Sequence, residues 1–142
     1  MPKAAVVLGS KSDEALGTEI VNLLKEYGVD TDCRILSAHR NPDELEDFIK
    51  KSDAEVFVAV AGLSAALPGV IASRTVRPVI GVPKDVKLGG LDALLSIAQM
   101  PPGIPVATVG IENWKNAAIL AVEILSIGHP ELSKKLKDAR RK

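Results

Sequence analysis

Ala4-Ala5-Val6-Val7-Leu8, then Gly9-Ser10-Lys11-Ser12-Asp13, then Leu16, Ile20, Leu23, Leu24 and Tyr27 at helical spacing, form the stretch that decides the fold. The first five residues have the length and apolar character of a buried strand, and the last set marks one face of a helix. Gly28 follows where a left-handed C-cap is wanted, so residues 4–28 make one complete βα unit. The unit repeats outward. A strand over Asp32–Leu36 leads to Asn41-Pro42-Asp43-Glu44, a helix start with a cap, proline at the first position and acids in the first turn. That helix turns Leu45, Phe48 and Ile49 inward. Val56–Val60 is a continuous apolar run suited to a central strand buried on both faces, and Gly62 ends it. A short helix near Ala65–Ser73, a strand at Pro78–Gly81, a helix at Leu91–Gln99 and a strand at Val106–Val109 complete the alternation. Short strands alternating with helices predict a parallel sheet with crossover helices, a doubly wound three-layer α/β/α sandwich.

The composition bounds what such a fold does. At 142 residues and 46% hydrophobic content, residues 1–142 suit one domain with a substantial core. Eighteen basic side chains balance eighteen acidic ones, so no global field favours nucleic acid or an anionic membrane, and an anion must be gripped locally. The lone Cys33 excludes an intrachain disulfide and a multi-cysteine metal site, which suits a reducing compartment, and we expect a cytoplasmic protein. No charged leader precedes a signal-like run, and no apolar stretch approaches the roughly 20 residues that span a bilayer. Two Phe, one Trp and one Tyr are too few for a single-strand binder built on stacking. There is no internal repeat, low-complexity segment or interdomain linker. Asn116–Ile127 is apolar on nearly every side and must be covered all round. We read it as a subunit interface, with deep burial within the chain as the alternative. Pro130–Lys142 reads as a closing amphipathic surface helix, with Leu132 and Leu136 four apart.

In open parallel sheets ligands bind beyond the carboxyl ends of the strands, so the loops after the first three strands are the places for chemistry. Gly9-Ser10-Lys11-Ser12-Asp13 offers hydroxyls and free backbone amides at a helix start, which favour a phosphate; the same spacing is a capping box, Ser10 with Asp13. Both readings fit. Ser37-Ala38-His39-Arg40 sets a hydroxyl, an imidazole and a guanidinium together, where the guanidinium fork suits phosphate and imidazole exchanges protons near neutral pH. A plain solvated turn is the alternative; the position on the ligand edge favours function. His129, before Pro130, reads as structural. The small residues from Ala61 to Gly69 let backbone approach a flat ligand or serve helix packing. No Walker lysine loop, G-x-G-x-x-G or metal cluster is evident, so neither a cofactor nor a metal is expected.

Four segments in register carry a resemblance over almost the whole chain: Gly9–Asp13, Ser37–Arg40, Ala66–Gly69, and Gly90-Leu91-Asp92 through Gln99-Met100-Pro101. Together they resemble the N5-carboxyaminoimidazole ribonucleotide mutases, the catalytic-subunit family of phosphoribosylaminoimidazole carboxylase. The resemblance implies a flavodoxin-like domain, a homo-octamer with sites where subunits meet, and an isomerase of purine biosynthesis acting on a small ribonucleotide. It implies that Ser10, Ser37 and Arg40 hold the substrate phosphate, Asp13 the ribose hydroxyls, and that His39 shuttles the proton. Ala61 and Gly62 would border the imidazole, and Gly9, Ser12, Ala38 and Leu67 would complete the substrate-binding set.

One departure stands out. Many bacterial members carry histidine at the position of Ala66, within Gly-Ala-Ala-His-Leu-Pro-Gly, whereas this chain reads Leu63-Ser64-Ala65-Ala66. The related carboxylases that take free carbon dioxide read Gly-Arg-Ser-Asn there and Ser-Ala-His-Lys earlier; this chain shares Ser64 with them but keeps Arg40 and Pro68. The mutase is the favoured expectation and the carboxylase, a carboxy-lyase, the alternative. A flavodoxin-like electron carrier or receiver module is the non-enzymatic alternative. Flavin usually wants aromatic walls, absent from the loops after the first and third strands, and a receiver wants an aspartate where this chain has Ala61-Gly62.

Overall fold

The computed structural model describes residues 1–141. A five-stranded parallel sheet has the order β2-β1-β3-β4-β5, with β1 Lys3–Leu8, β2 Asp30–Ile35, β3 Val56–Ala61, β4 Val79–Pro83 and β5 Ala107–Thr108. The helices are α1 Glu14–Glu26, α2 Pro42–Lys51, α3 Leu67–Arg74, α4 Leu91–Ala98, α5 Trp114–Ser126 and α6 Pro130–Arg140. This is the flavodoxin-like strand order, which reverses between β1 and β3. Successive side chains of a strand point to opposite faces, and the register lines up the same parity across the sheet. Ala4, Val6, Leu8, Val58, Val60 and Ile80 pack under α1, α5 and α6. Ala5, Val7, Phe57, Ala59 and Val79 pack under α2, α3 and α4. Every residue of β3 is buried, as its unbroken apolar run requires.

The local signals act largely as expected. Gly28, at φ +79°, ends α1, and its N–H donates to the Lys25 carbonyl. Pro42 opens α2. Asn41 departs from its expected role, because its side-chain oxygen accepts from the Ser37 N–H at 3.2 Å instead of capping α2. The boundaries shift where pairing or backbone geometry overrides composition. β4 runs on to Pro83 because Ala61 of β3 pairs with it, and α3 starts late, at Leu67, because Ala65 is left-handed at φ +44°.

The apolar helix α5 is covered from within on one side only. Its Ala117, Ala118, Ala121, Val122 and Leu125 are buried within the chain, between the sheet, α1 and α6. Leu132 and Leu136 of α6 fold back onto the same cluster, while Ile119, Leu120 and Ile124 stay partly exposed and Ile127 is 87% exposed, so the chain itself covers only part of the face expected to meet another subunit. That reading had α6 run to Lys142, which lies outside the described residues. His129 joins α5 to α6 and its Nε2 lies 2.9 Å from Glu55 Oε1, a structural tether. Among the described residues, no helix is long and apolar enough to cross a membrane.

Candidate active site

Three loops leave the carboxyl edge of the sheet around the point where its order reverses. After β1, the Gly9 N–H donates to the Val60 carbonyl at 3.1 Å, and the chain makes one 3-10 turn, Lys11–Asp13, before α1. The Ser12 N–H donates to Ser10 Oγ at 3.3 Å and the Ser10 N–H to Asp13 Oδ2 at 3.0 Å. The capping box therefore forms, and it buries the Asp13 carboxylate. Burial pushes the Asp13 carboxyl above its ordinary value, against the opposing pull of Lys84, the Ser10 N–H and Arg40.

After β2, Ser37 is the hub of a tight turn. Its Oγ accepts from the His39 N–H at 3.3 Å and the Arg40 N–H at 3.1 Å. The Asn41 side chain holds the Ser37 N–H, so its use inside the turn fixes the loop that presents His39. The Arg40 guanidinium donates to the Gly9 carbonyl at 3.1 Å, which ties the second loop to the first. After β3, Leu63 and Ala65 adopt left-handed backbone at φ +55° and +44°, which carries the loop over the sheet edge. A Cβ on Gly62 would lie 2.6 Å from Val86 Cγ2, so only glycine fits beside that side chain.

All eleven residues singled out in the sequence line one cleft of about 480 Å³. Gly9, Ser10, Ser12 and Asp13 come from the first loop, Ser37, Ala38, His39 and Arg40 from the second, and Ala61, Gly62 and Leu67 from the third. An anion in this cleft meets two serine hydroxyls and a forked cation, a diol meets a carboxylate, and an imidazole stands by to move a proton. The sequence reading missed Val86 on the wall and Lys84 behind Asp13. The signal for both was their place just beyond a strand on the ligand edge, hidden because that strand was expected to stop at Gly81. A second groove, of about 620 Å³, runs beside β2 and α2, but its charges are committed to one another: Arg34 to Asp32, Lys3 to Asp53, Lys51 to Asp47. We favour the first cleft, where hydroxyls, a guanidinium, a carboxylate and an imidazole from three loops converge at the carboxyl ends of the strands. Among the described residues, no three His, Cys, Asp or Glu side chains are grouped to hold a metal.

The chain is similar over nearly its whole length to proteins that carry one family name. The N5-carboxyaminoimidazole ribonucleotide mutase of Methanocaldococcus jannaschii is 56% identical over 137 residues, covering 96% of this chain and 87% of that protein. The mutase of Pyrococcus abyssi is 51% identical over 144 residues, covering 99% and 83%. The crystal structure of Treponema denticola PurE superposes with a TM-score of 0.90 at 29% identity, covering 99% of this chain and 90% of that one. A type II dehydroquinase from Propionibacterium acnes, at 12% identity and a TM-score of 0.57, shares the fold alone. The model of the AIR carboxylase family matches residues 3–142, and with relatives above half identity over nearly its whole length, the chain belongs to that family.

Proposed function

We propose that this protein is an N5-carboxyaminoimidazole ribonucleotide mutase of purine biosynthesis, an isomerase that moves a carboxylate from the exocyclic nitrogen of an aminoimidazole ribonucleotide to carbon C4. The convergence of Ser10, Ser37, Arg40, Asp13 and His39 in one cleft carries the reading, beside relatives of that name. A ribonucleotide phosphate is assigned to Ser10, Ser37 and Arg40, and the ribose diol to Asp13. Gly9, Ser12, Ala38 and Leu67 complete the walls, and Ala61 and Gly62 border the ring. His39 gives a proton to the carbamate nitrogen, the N–C bond breaks, and carbon dioxide is released into the cleft. Carbon C4 of the enamine-like ring attacks the trapped gas, and His39 takes the C4 proton back. The proton count closes, and this chemistry asks for no redox partner or cofactor.

The reading extends to assembly and place. The cleft wall exposes Leu63 and Val86, and the chain beyond Val86 exposes Leu88 and Leu91, with Ile111 packed close to Gly90. A second copy of the chain over this surface would hide it and enclose the carbon dioxide, and with the family resemblance we extend the proposal to a cytoplasmic homo-octamer with sites between subunits. Purified protein given the N5-carboxylated nucleotide in one cuvette, and aminoimidazole ribonucleotide with physiological bicarbonate in another, tests the function. Clear preference for the first supports the mutase. Preference for the second makes the enzyme a carboxylase, and inactivity on both removes the proposal.

A further inference from the structure

Lys84 belongs to none of the motifs that define the cleft. It follows β4, where its N–H donates to the Ala61 carbonyl at 2.9 Å. A Cβ on Gly62 would lie 3.6 Å from Lys84 Cβ, so the lysine stem starts directly beneath the loop after β3. Because β3 lies between β1 and β4, the side chain crosses the end of β3 to reach the turn after β1. There its ammonium sits 3.3 Å from Asp13 Oδ1 and donates to the Ser12 carbonyl. The lysine side chain is only 19% exposed, and Asp13 is buried.

We propose that Lys84 is a positioning residue of the site: it pins the Ser10–Asp13 turn from across the sheet and keeps the Asp13 carboxylate charged and aimed as an acceptor for the substrate diol. The inference rests on the mutase reading above. A carboxylate in this place costs desolvation, and the groups that oppose that cost are few. Lys84 faces Asp13 from the end of β4, Arg40 from the loop after β2, and the Ser10 N–H from its own turn. Lys84 is the largest of these opposing influences, through both hydrogen bond and charge. The sign follows. Asp13 is an acid whose affinity for its proton is already raised, so removing Lys84 raises it further. The acceptor form is then lost at a higher pH as pH falls, and it recovers as pH rises.

The test is the KM for the nucleotide as a function of pH, from about pH 8.5 down to the pH at which the wild-type KM itself rises. It runs in the reverse direction from the C4-carboxylated nucleotide, because carbamates shed carbon dioxide in acid. Lys84→Gln retains an amide donor for the Ser12 carbonyl but not the charge. Its KM is expected to rise roughly 10- to 100-fold at the acidic end, the range of one hydrogen bond to a charged group, and to approach wild type at the alkaline end. Lys84→Arg keeps the charge and should keep the wild-type profile. A KM defect in Lys84→Gln that is flat with pH overturns the inference, since lost packing alone does not titrate. Should Lys84→Gln fail to fold, the Asp13→Asn and Lys84→Gln double variant leaves no charge unpaired. It is expected to fold and to match Asp13→Asn alone at every pH, and a further loss would show that Lys84 acts on something other than Asp13. Wild-type activity is measured first: its absence defeats the mutase reading, whereas an active wild type with an unshifted variant defeats only the role of Lys84.

Discussion

At the scale of single residues the proposed mechanism rests on one imidazole. Ala66 brings no second imidazole to the loop after β3, and His129 is held by Glu55 between α5 and α6, so His39 alone among the histidines lines the cleft. Its ring is exposed, and its backbone N–H, bonded to Ser37 Oγ, does not depend on the side chain. Replacing His39 by Asn keeps that backbone bond and removes proton exchange near neutral pH. Turnover is expected to fall by about 10²–10⁴-fold while the affinity for a substrate analogue changes little, as single-turnover rates and calorimetry would read. Near-normal turnover would move the proton to a carboxylate or a water. Both His39 and Asp13 were legible in the sequence, because each lies in a short motif at a strand end. The use of Asn41 was not, since a helix-start pattern reads the same whether its amide caps the helix or holds the turn before it.

Among the elements, β4 shows how closely the helices sit on the sheet. Gly81 pairs with Ala59 on one side and Thr108 on the other. A Cβ there would overlap Ile97 Cγ2 of α4 and come within 3.3 Å of Pro68 of α3. Ile97 is fully buried and has no free space to yield. Gly81→Ala ordinarily improves a strand, but here overpacking is expected to win and cost about 1–3 kcal/mol, measured by denaturant unfolding. A variant as stable as wild type would show that α4 rides loosely on β4. The consequence reaches the cleft, because the chain after β4 sets Lys84 behind Asp13 and Val86 on the wall, so displacing the strand loosens the site from behind. The alternation of strands and helices was plain in the chain. The two-residue β5 and the late start of α3 were not, since pairing partners and one left-handed residue, Ala65, set those limits.

For the whole molecule the question is what covers the rim of the cleft. Leu88 is 79% exposed and left-handed at φ +52°, a costly place to display leucine unless another chain meets it. Leu88→Asp should leave the folded subunit intact, because the side chain packs on little within it and aspartate tolerates that backbone better. If copies of the chain meet over this rim, the variant disperses the assembly in sedimentation velocity and loses most of its activity, while wild type sediments as an octamer. A wild-type protein that is monomeric at micromolar concentration and fully active would end the shared-site proposal. The Val86–Leu91 segment joins the partly exposed side of α5 as apolar surface that the single chain leaves uncovered.

The sequence by itself determined the layers, the strand-end location of the cleft and the identity of most residues that line it, because hydrophobic period and turn chemistry are local properties. Gly9–Asp13 and Ser37–Arg40 could be read as ligand loops since each is contiguous and follows a strand. Only the tertiary structure decided which apolar surfaces are covered from within, because α5 has the same composition whether α6 or a second subunit packs on it. Only the tertiary structure, too, joined Lys84 to the turn at Ser12, 72 residues away, since a charge pair across the end of an intervening strand depends on strand order, which no local pattern encodes.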